Sequence, residues 1–378
     1  TVPRDEPYLG ALRAGEEPNR RGYFVRKGNK TVYPTVDRSV LVRVETVDGV
    51  VGWGETYGIV APKATTAIVE DLLVEFVIGR DPFDASEIHD DLYNLMRVRG
   101  YGGGFYLDAL GAVDIALWDA AGRTAGKPIY ELLGGRKQEK VPGYVSGLPK
   151  RTLEERAAFA KEWLGRGFDK FKFAAPVADE GIVREMEELR EVLGSEASIS
   201  CDMHWAHTPD GAIAAIKEME PYGLWFAEAP IATEDVKGLG RVAHSVDTPI
   251  GAGEEWRTLH EARLRYDANA VHIVQPEMGH TGITEFVRIS KAAHERGIQI
   301  LPHATIGSGI FLAASLQASF ALKGIIGHEY QHSIVERNHN LITKGIGCSD
   351  GLYFLSDTGG LGIEPTEEMI SRLERQYA

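Results

Sequence analysis

Cysteine is nearly absent: Cys201 and Cys348 are the only two in 378 residues. They build no disulfide framework and stand in no metal-ligand spacing, so a reducing, cytoplasmic setting is expected. Positive charge is short as well, with 41 Lys and Arg against 55 Asp and Glu and a net charge of −14. That balance argues against nucleic acid or an anionic membrane surface as partner. An anion can then be bound only through a local cationic cluster or a metal. No apolar run approaches the length of a membrane span, and the opening TVPRDEPYLG has no signal-peptide core. A phosphate loop of the form GxxxxGK[ST] is missing, as is any aromatic array for stacking bases. What remains is an ordinary folded composition, 43% hydrophobic and 25% charged, on a chain long enough for one large and one smaller domain.

The first third reads as α+β. Segments around YFVRKGNK, SVLVRVETVDG and VVGWGET alternate or run apolar between DG and GN turn signals, which predicts an antiparallel meander. Helical periodicity follows in TTAIVEDLLVEFVIG and ALGAVDIALWDAAGRTAG, and the paired glycines of KPIYELLGG stop the run. From about residue 139 short apolar strands alternate with amphipathic helices, the pattern of βαβ units and a parallel sheet. PGYVSGLP, KFKFAAP, SISCDMHW, LWFAEAP, PIGAGEEW, VHIVQPEMG, IQILPHATIG and GIIGHEYQHS supply eight strands.

These strands finish on polar or ionisable residues. Lys172, Asp202, Glu228, Glu254, Glu277, His303 and Glu329 are separated by 30, 26, 26, 23, 26 and 26 residues. One strand, loop and helix need about that length, so the expected fold is α/β, a (β/α)8 barrel whose C-terminal mouth carries the chemistry. The expected organisation is an N-terminal α+β capping domain over 1–138, the barrel over 139–345, and a C-terminal segment, 346–378, packing back on the cap. In such a barrel the alternation in KFKFAAP turns Phe171 and Phe173 outward to the helices and Lys170 and Lys172 into the centre.

Asp202, Glu228 and Glu254 end three consecutive strands and converge on one patch. Singly, each could cap a helix or pair with a lysine. Together they repel one another, and an all-oxygen set with room for water suggests Mg2+. Two ammonium groups sharing a face are expected to depress the Lys172 pKa toward that of a useful base. Glu277 and His303 form an expected acid/base dyad in which the carboxylate fixes the imidazole tautomer. A metal flanked by two bases points to removal of a proton α to a carboxylate.

The motifs ALGAVDIALWDAAGRTAGKPIYELLGG, KFK, CDMHW, FAEAP, AGEE, QPE, PHATIGSG, HEY and GGLGIE, in this order, resemble the enolase superfamily and within it the mandelate racemase subgroup. The resemblance implies Asp202, Glu228 and Glu254 as Mg2+ ligands, Glu254 rather than Glu255 because the family ligand follows Gly directly. It implies Lys172 as one acid/base, with Lys170 modulating it and contacting the substrate carboxylate, and His303 with Glu277 as the other. Glu329 would hydrogen-bond that carboxylate in its protonated form. Two departures stand out. His204 replaces the common Asn of the third strand, sharing the inward face with Asp202, where it would bind a substrate hydroxyl, act as a further acid, or simply stand in for Asn as a neutral polar residue. Glu277 stands where Asp is common.

The implied activity is dehydration of an acid sugar to a 2-keto-3-deoxy acid, with aldarates such as galactarate favoured because Arg21 and Tyr23 in RRGYFVRKG could hold a distal carboxylate. The alternatives are a racemase, epimerase or lactone cycloisomerase of the same superfamily and, more remotely, a catalytically silent metal-binding barrel. The TIGSG stretch after His303 either offers backbone N–H groups to an anion at a helix start or simply turns the chain, whereas His207, His328, His332 and His339 read as loop or surface histidines. A small-molecule substrate and a homo-oligomer complete the expectation.

Overall fold

The computed structural model describes residues 2–4, 12, 15–26, 30–304, 307–336 and 340–373. Its N-terminal part contains strands β1 (Val2–Arg4), β2 (Tyr23–Val25), β3 (Val32–Pro34), β4 (Asp37–Glu45) and β5 (Val51–Tyr57). The expected single meander is divided in two. β2 pairs with β3 as a separate hairpin, and β1, β4 and β5 form a three-stranded antiparallel sheet. Helix Gly104–Ala125 lies directly on β5. A Cβ at Gly52 would sit 2.2 Å from the Ala116 carbonyl oxygen, and one at Gly54 would sit 1.8 Å from that of Ala112. Only glycine permits this approach.

That helix is buried around almost its whole circumference, and three aspartates on it are buried too. A buried carboxylate must find donors, and each of these finds them elsewhere in the chain. Asp108 meets Arg257 and His280, and Asp114 accepts from the Thr284 N–H and hydroxyl. Asp119 accepts from the N–H groups of Trp53 and Leu361. The helix thus ties the cap to the helix Met278–His294 and to the C-terminal segment.

The eight barrel strands are β6 (Val141–Ser146), β7 (Lys170–Ala174), β8 (Ser198–Asp202), β9 (Leu224–Glu228), β10 (Ile250–Ala252), β11 (Ile273–Val274), β12 (Gln299–Ile300) and β13 (His328–Tyr330). Neighbours from β6 to β12 pair in parallel, and β13 pairs in parallel with β6. The ring closes where Ile326 N–H donates to the Ile300 carbonyl and Glu329 N–H to that of Pro302. Phe171 and Phe173 are fully buried in the main core between strands and helices. Tyr144, Phe226, Ile273 and Leu301 form a separate apolar cluster, which fills the barrel lumen as a packed layer.

A hairpin, β14 (Ile346–Ser349) and β15 (Leu352–Leu355), pairs with the start of β6 at Val141 and Pro142. The chain then runs to the cap, where Ile129 N–H donates to the Gly360 carbonyl and Arg123 pairs with Glu364. The C-terminal segment therefore touches barrel and cap alike. Among the described residues no helix is long and apolar enough to cross a membrane, and both cysteines are free.

Candidate active site

Strand register sets the levels of the site. Ala174 pairs with Asp202 and Asp202 with Glu228, so these positions share the C-terminal rim. Lys172 is level with Ser200, one inward step lower, and Lys170 with Ser198, a further step down. Each step of two residues is about 7 Å along the strand. Lys172 reaches up from its level: its Nζ lies 2.5 Å from Glu228 Oε1 and 3.2 Å from Glu329 Oε1. Lys170 instead stays at the lower end, its ammonium 2.6 Å from Asp169 and its side chain 21% exposed.

On the other flank His303 Nδ1 lies 2.7 Å from Glu277 Oε2, while Nε2 lies 3.1 Å from Glu254 Oε2 and 3.6 Å from Glu329 Oε2. Glu277 is itself oriented, because its other oxygen accepts from the Gly279 N–H as the N-cap of Met278–His294. Glu329 stands between the two bases, and its Oε2 also accepts from the Ala304 N–H. Asp202 accepts from the His204 N–H, with His204 Nδ1 at 3.5 Å. Glu255 turns away from this group toward Thr233 and Trp256.

The backbone that presents these groups is strained. His204, Trp205 and Ala229 all have positive φ, at 56°, 54° and 45°. Left-handed conformations at residues with a Cβ cost about 1–3 kcal/mol each and concentrate at working sites.

With every carboxylate ionised, the five here face three cationic side chains at most, an excess of two negative charges even with both imidazoles protonated. Burial raises the Glu228 carboxyl, and repulsion from Asp202 adds to it against the pull of Lys172. Glu254 is pushed up to about 8 by burial and by Glu228 and Asp202, against the pull of His303. Asp202 goes the other way: burial raises it, but the hydrogen bonds and charge of His204 together with Lys172 outweigh that cost and lower its carboxyl. An all-oxygen donor set with this surplus fits a hard divalent cation. Among the described residues no three His, Cys, Asp or Glu side chains are drawn together in metal-ligating geometry; each carboxylate is turned to a cationic side chain.

Two independent sequence models match the chain. The enolase C-terminal domain-like family covers residues 155–369, and the mandelate racemase / muconate lactonizing enzyme N-terminal domain covers residues 28–134. The chain belongs to the enolase superfamily. Within it the N-terminal match indicates the mandelate racemase branch. A Sinorhizobium meliloti structure, named provisionally as an isomerase, is 60% identical with a TM-score of 0.97, covering 99% of this chain and 96% of its own. A superfamily member from Agrobacterium tumefaciens is 57% identical with a TM-score of 0.97, covering 99% and 97%. D-galactonate dehydratase of Xanthomonas euvesicatoria is 30% identical over 361 residues, 90% of this chain and 92% of that protein.

Several expectations for this superfamily site need correction. Lys170 neither reaches the mouth nor shares its charge with Lys172. Burial works against the Lys172 ammonium, but Glu228 and Glu329 outweigh it, so its pKa is raised and not depressed. Glu329 is held ionised rather than protonated, because Lys172 and His303 overcome its burial. Burial likewise opposes the imidazolium of His303, yet Glu254, Glu329 and Glu277 lift it to about 10. For His204, Asp202 does the same against burial, and its pKa rises. Arg21 is exposed, and the Tyr23 hydroxyl accepts from the Ala61 N–H within the cap.

Thr305 and Ile306 of TIGSG lie outside the described residues, but the stretch from Ser308 onward does present N–H groups to an anion, and that anion is the protein's own. The buried Glu55 of β5 accepts from Ser308, Ile310 and Phe311 at the start of helix Ile310–Ala321. Nothing in the local pattern of GWGET signals a partner some 250 residues away. Gln275, Ser146 and Tyr144 also face the site, and none of the three was assigned a role from the sequence.

His328 and His332 are buried, not surface residues; His207 is half-buried, and His339 lies outside the described residues. The imidazole of His328 stands 2.7 Å from the Ser315 hydroxyl and 3.1 Å from the Glu329 carbonyl. Burial lowers its pKa to about 4. Between about pH 6.5, the free value, and about 4, the unfolded chain takes up a proton that the folded chain refuses. Stability should therefore fall on acidification through that window, by roughly 3 kcal/mol in all, and stay level above it. Denaturant midpoints measured from pH 4 to 7 should lose this component in His328→Asn; an identical slope in that variant would refute the assignment.

Proposed function

We propose that the chain is a Mg2+-dependent acid-sugar dehydratase. One observation carries the reading: Lys172 and His303 stand on either side of the Asp202, Glu228 and Glu254 rim, both in contact with Glu329. A Mg2+ ion held by Asp202, Glu228 and Glu254 would place positive charge against the substrate carboxylate and neutralise the glutamates whose charge keeps both bases protonated.

One of the two bases takes the proton α to the carboxylate, giving an enediolate. A conjugate acid among His303, Lys172 and His204 then protonates the departing β-hydroxyl, which leaves as water, and the resulting enol tautomerises to the 2-keto-3-deoxy acid. Glu277 holds the His303 tautomer, and Glu329 is placed to orient both bases. Lys170 has no part in this scheme.

For the substrate, the D-galactonate dehydratases among the relatives favour a galacto-configured acid. Galactarate stays in the proposal on its shared configuration alone, since Tyr23 is engaged inside the cap. The purified protein, incubated with Mg2+ and a panel of sugar acids led by galactonate and galactarate, should release a 2-keto-3-deoxy acid from at least one. Silence across the panel would remove the proposal.

Isomerisation is the second reading, favoured by two bases on opposite flanks and by the name of the Sinorhizobium relative. It predicts deuterium at Cα from D2O with the β-hydroxyl retained.

A further inference from the structure

Glu228 is gripped at both oxygens. Lys172 holds Oε1, and the carboxamide of Gln275, from the end of β11, donates through Nε2 to Oε2. Gln275 is 1% exposed, and three features show that its slot is built for it. A carboxylate accepts only, so the nitrogen of the amide must face Glu228 and its oxygen must point away. That oxygen is buried without a hydrogen-bond partner, and so is the hydroxyl of Tyr144 on β6, itself 0% exposed. The hydroxyl is a donor and the amide oxygen an acceptor, and Tyr144 packs in one cluster with Phe226 and Ile273 beside the carboxamide. Finally, a Cβ at Gly251 of β10 would come within 2.8 Å of Gln275 Oε1 and 3.1 Å of Phe226. The glycine of PIGAGEE leaves the room that the carboxamide occupies.

We propose that Gln275 is a positioning residue for Glu228, backed by the Tyr144 hydroxyl, and that the relay sets the affinity of the rim for a divalent cation. A carboxylate free to rotate must be ordered when a cation binds. One clamped at Oε2 by a neutral donor keeps its orientation and also its charge, which a second ammonium would cancel. Lys172 lies 5.6 Å above the Tyr144 ring, so the same tyrosine underlies the base and supports the relay. The groups that orient metal ligands are commonly worth about 10- to 100-fold in metal affinity.

The inference rests on the divalent-cation reading of Asp202, Glu228 and Glu254, and the test separates the two. Mg2+ is titrated calorimetrically into chelator-treated full-length protein, without substrate. Gln275→Met, close in shape and unable to donate, should bind Mg2+ about 10- to 100-fold more weakly than the unmodified chain. Tyr144→Phe, which keeps the ring, should lose about fivefold, the worth of one neutral hydrogen bond. Melting curves accompany each titration. A purely structural role would lower the melting temperature and leave the Mg2+ dissociation constant unmoved. An unchanged constant in folded Gln275→Met overturns the proposal, and if that variant does not fold, an unchanged constant in Tyr144→Phe does so. An unmodified protein that binds no Mg2+ overturns the cation reading, and this inference with it.

Discussion

Lys172→Met should lower turnover of the accepted sugar acid by about 10²- to 10⁴-fold, the range for loss of a positioned general acid or base. Methionine keeps the apolar stem over the Tyr144 ring and removes only the ammonium. The ammonium is buried between Glu228 and Glu329, so its loss also leaves two buried carboxylates without the ammonium they share. Breaking a buried ion pair costs about 3–5 kcal/mol, and the variant should melt earlier. The two effects separate if the rate is normalised to folded protein and measured well below the variant's melting temperature. Turnover within tenfold of the unmodified enzyme would take Lys172 out of the chemistry.

His303→Asn carries the second large effect, again about 10²- to 10⁴-fold in turnover. Asparagine can still donate toward Glu277 but cannot exchange a proton near neutrality. The informative comparison is with Lys172→Met in D2O. If one base starts the reaction and the other serves the departing hydroxyl, exchange of the α-hydrogen with solvent should survive in one variant and vanish in the other. The variant that loses exchange identifies the initiating base. Survival in both would mean that neither residue abstracts the proton. Because His303 also contacts Glu254, the Mg2+ affinity of His303→Asn needs checking so that weakened metal binding is not mistaken for a lost base.

The barrel was legible because two periods coincide in it. Strand side chains alternate faces every second residue, and one βα unit consumes about 26 residues, so a polar residue recurring at the end of each unit marks one rim. That logic brought Lys172, Asp202, Glu228, Glu254, Glu277, His303 and Glu329 to one mouth. It misread Lys170 for a definite reason: alternation tells which face a residue takes, not which end of the barrel it occupies. Lys170 shares the inward parity of Lys172 but sits one step lower, where Asp169 is the nearer anion.

Ionisation was beyond reach for a similar reason. The Lys172 pKa follows from Glu228 and Glu329, and the Glu329 pKa from Lys172 and His303. Those partners come from β7, β9, β13 and the loop after β12, and no segment of the chain contains them together. His328 read as a loop or surface residue because the stretch HEYQHS is mostly polar, yet Ser315 and the helix that carries it cover the ring.

From the order of residues alone came the fold class, the end of the barrel where these polar residues gather, and their chemical types, because each depends on local periodicity and spacing. The tertiary structure alone decided which of two like residues reaches the rim, which carboxylates stay charged, and how Glu55 and Asp108 pin the cap to the barrel. These depend on Coulomb and hydrogen-bond partners distant in the chain, and only the closed ring of strands brings such partners within a few ångströms of one another.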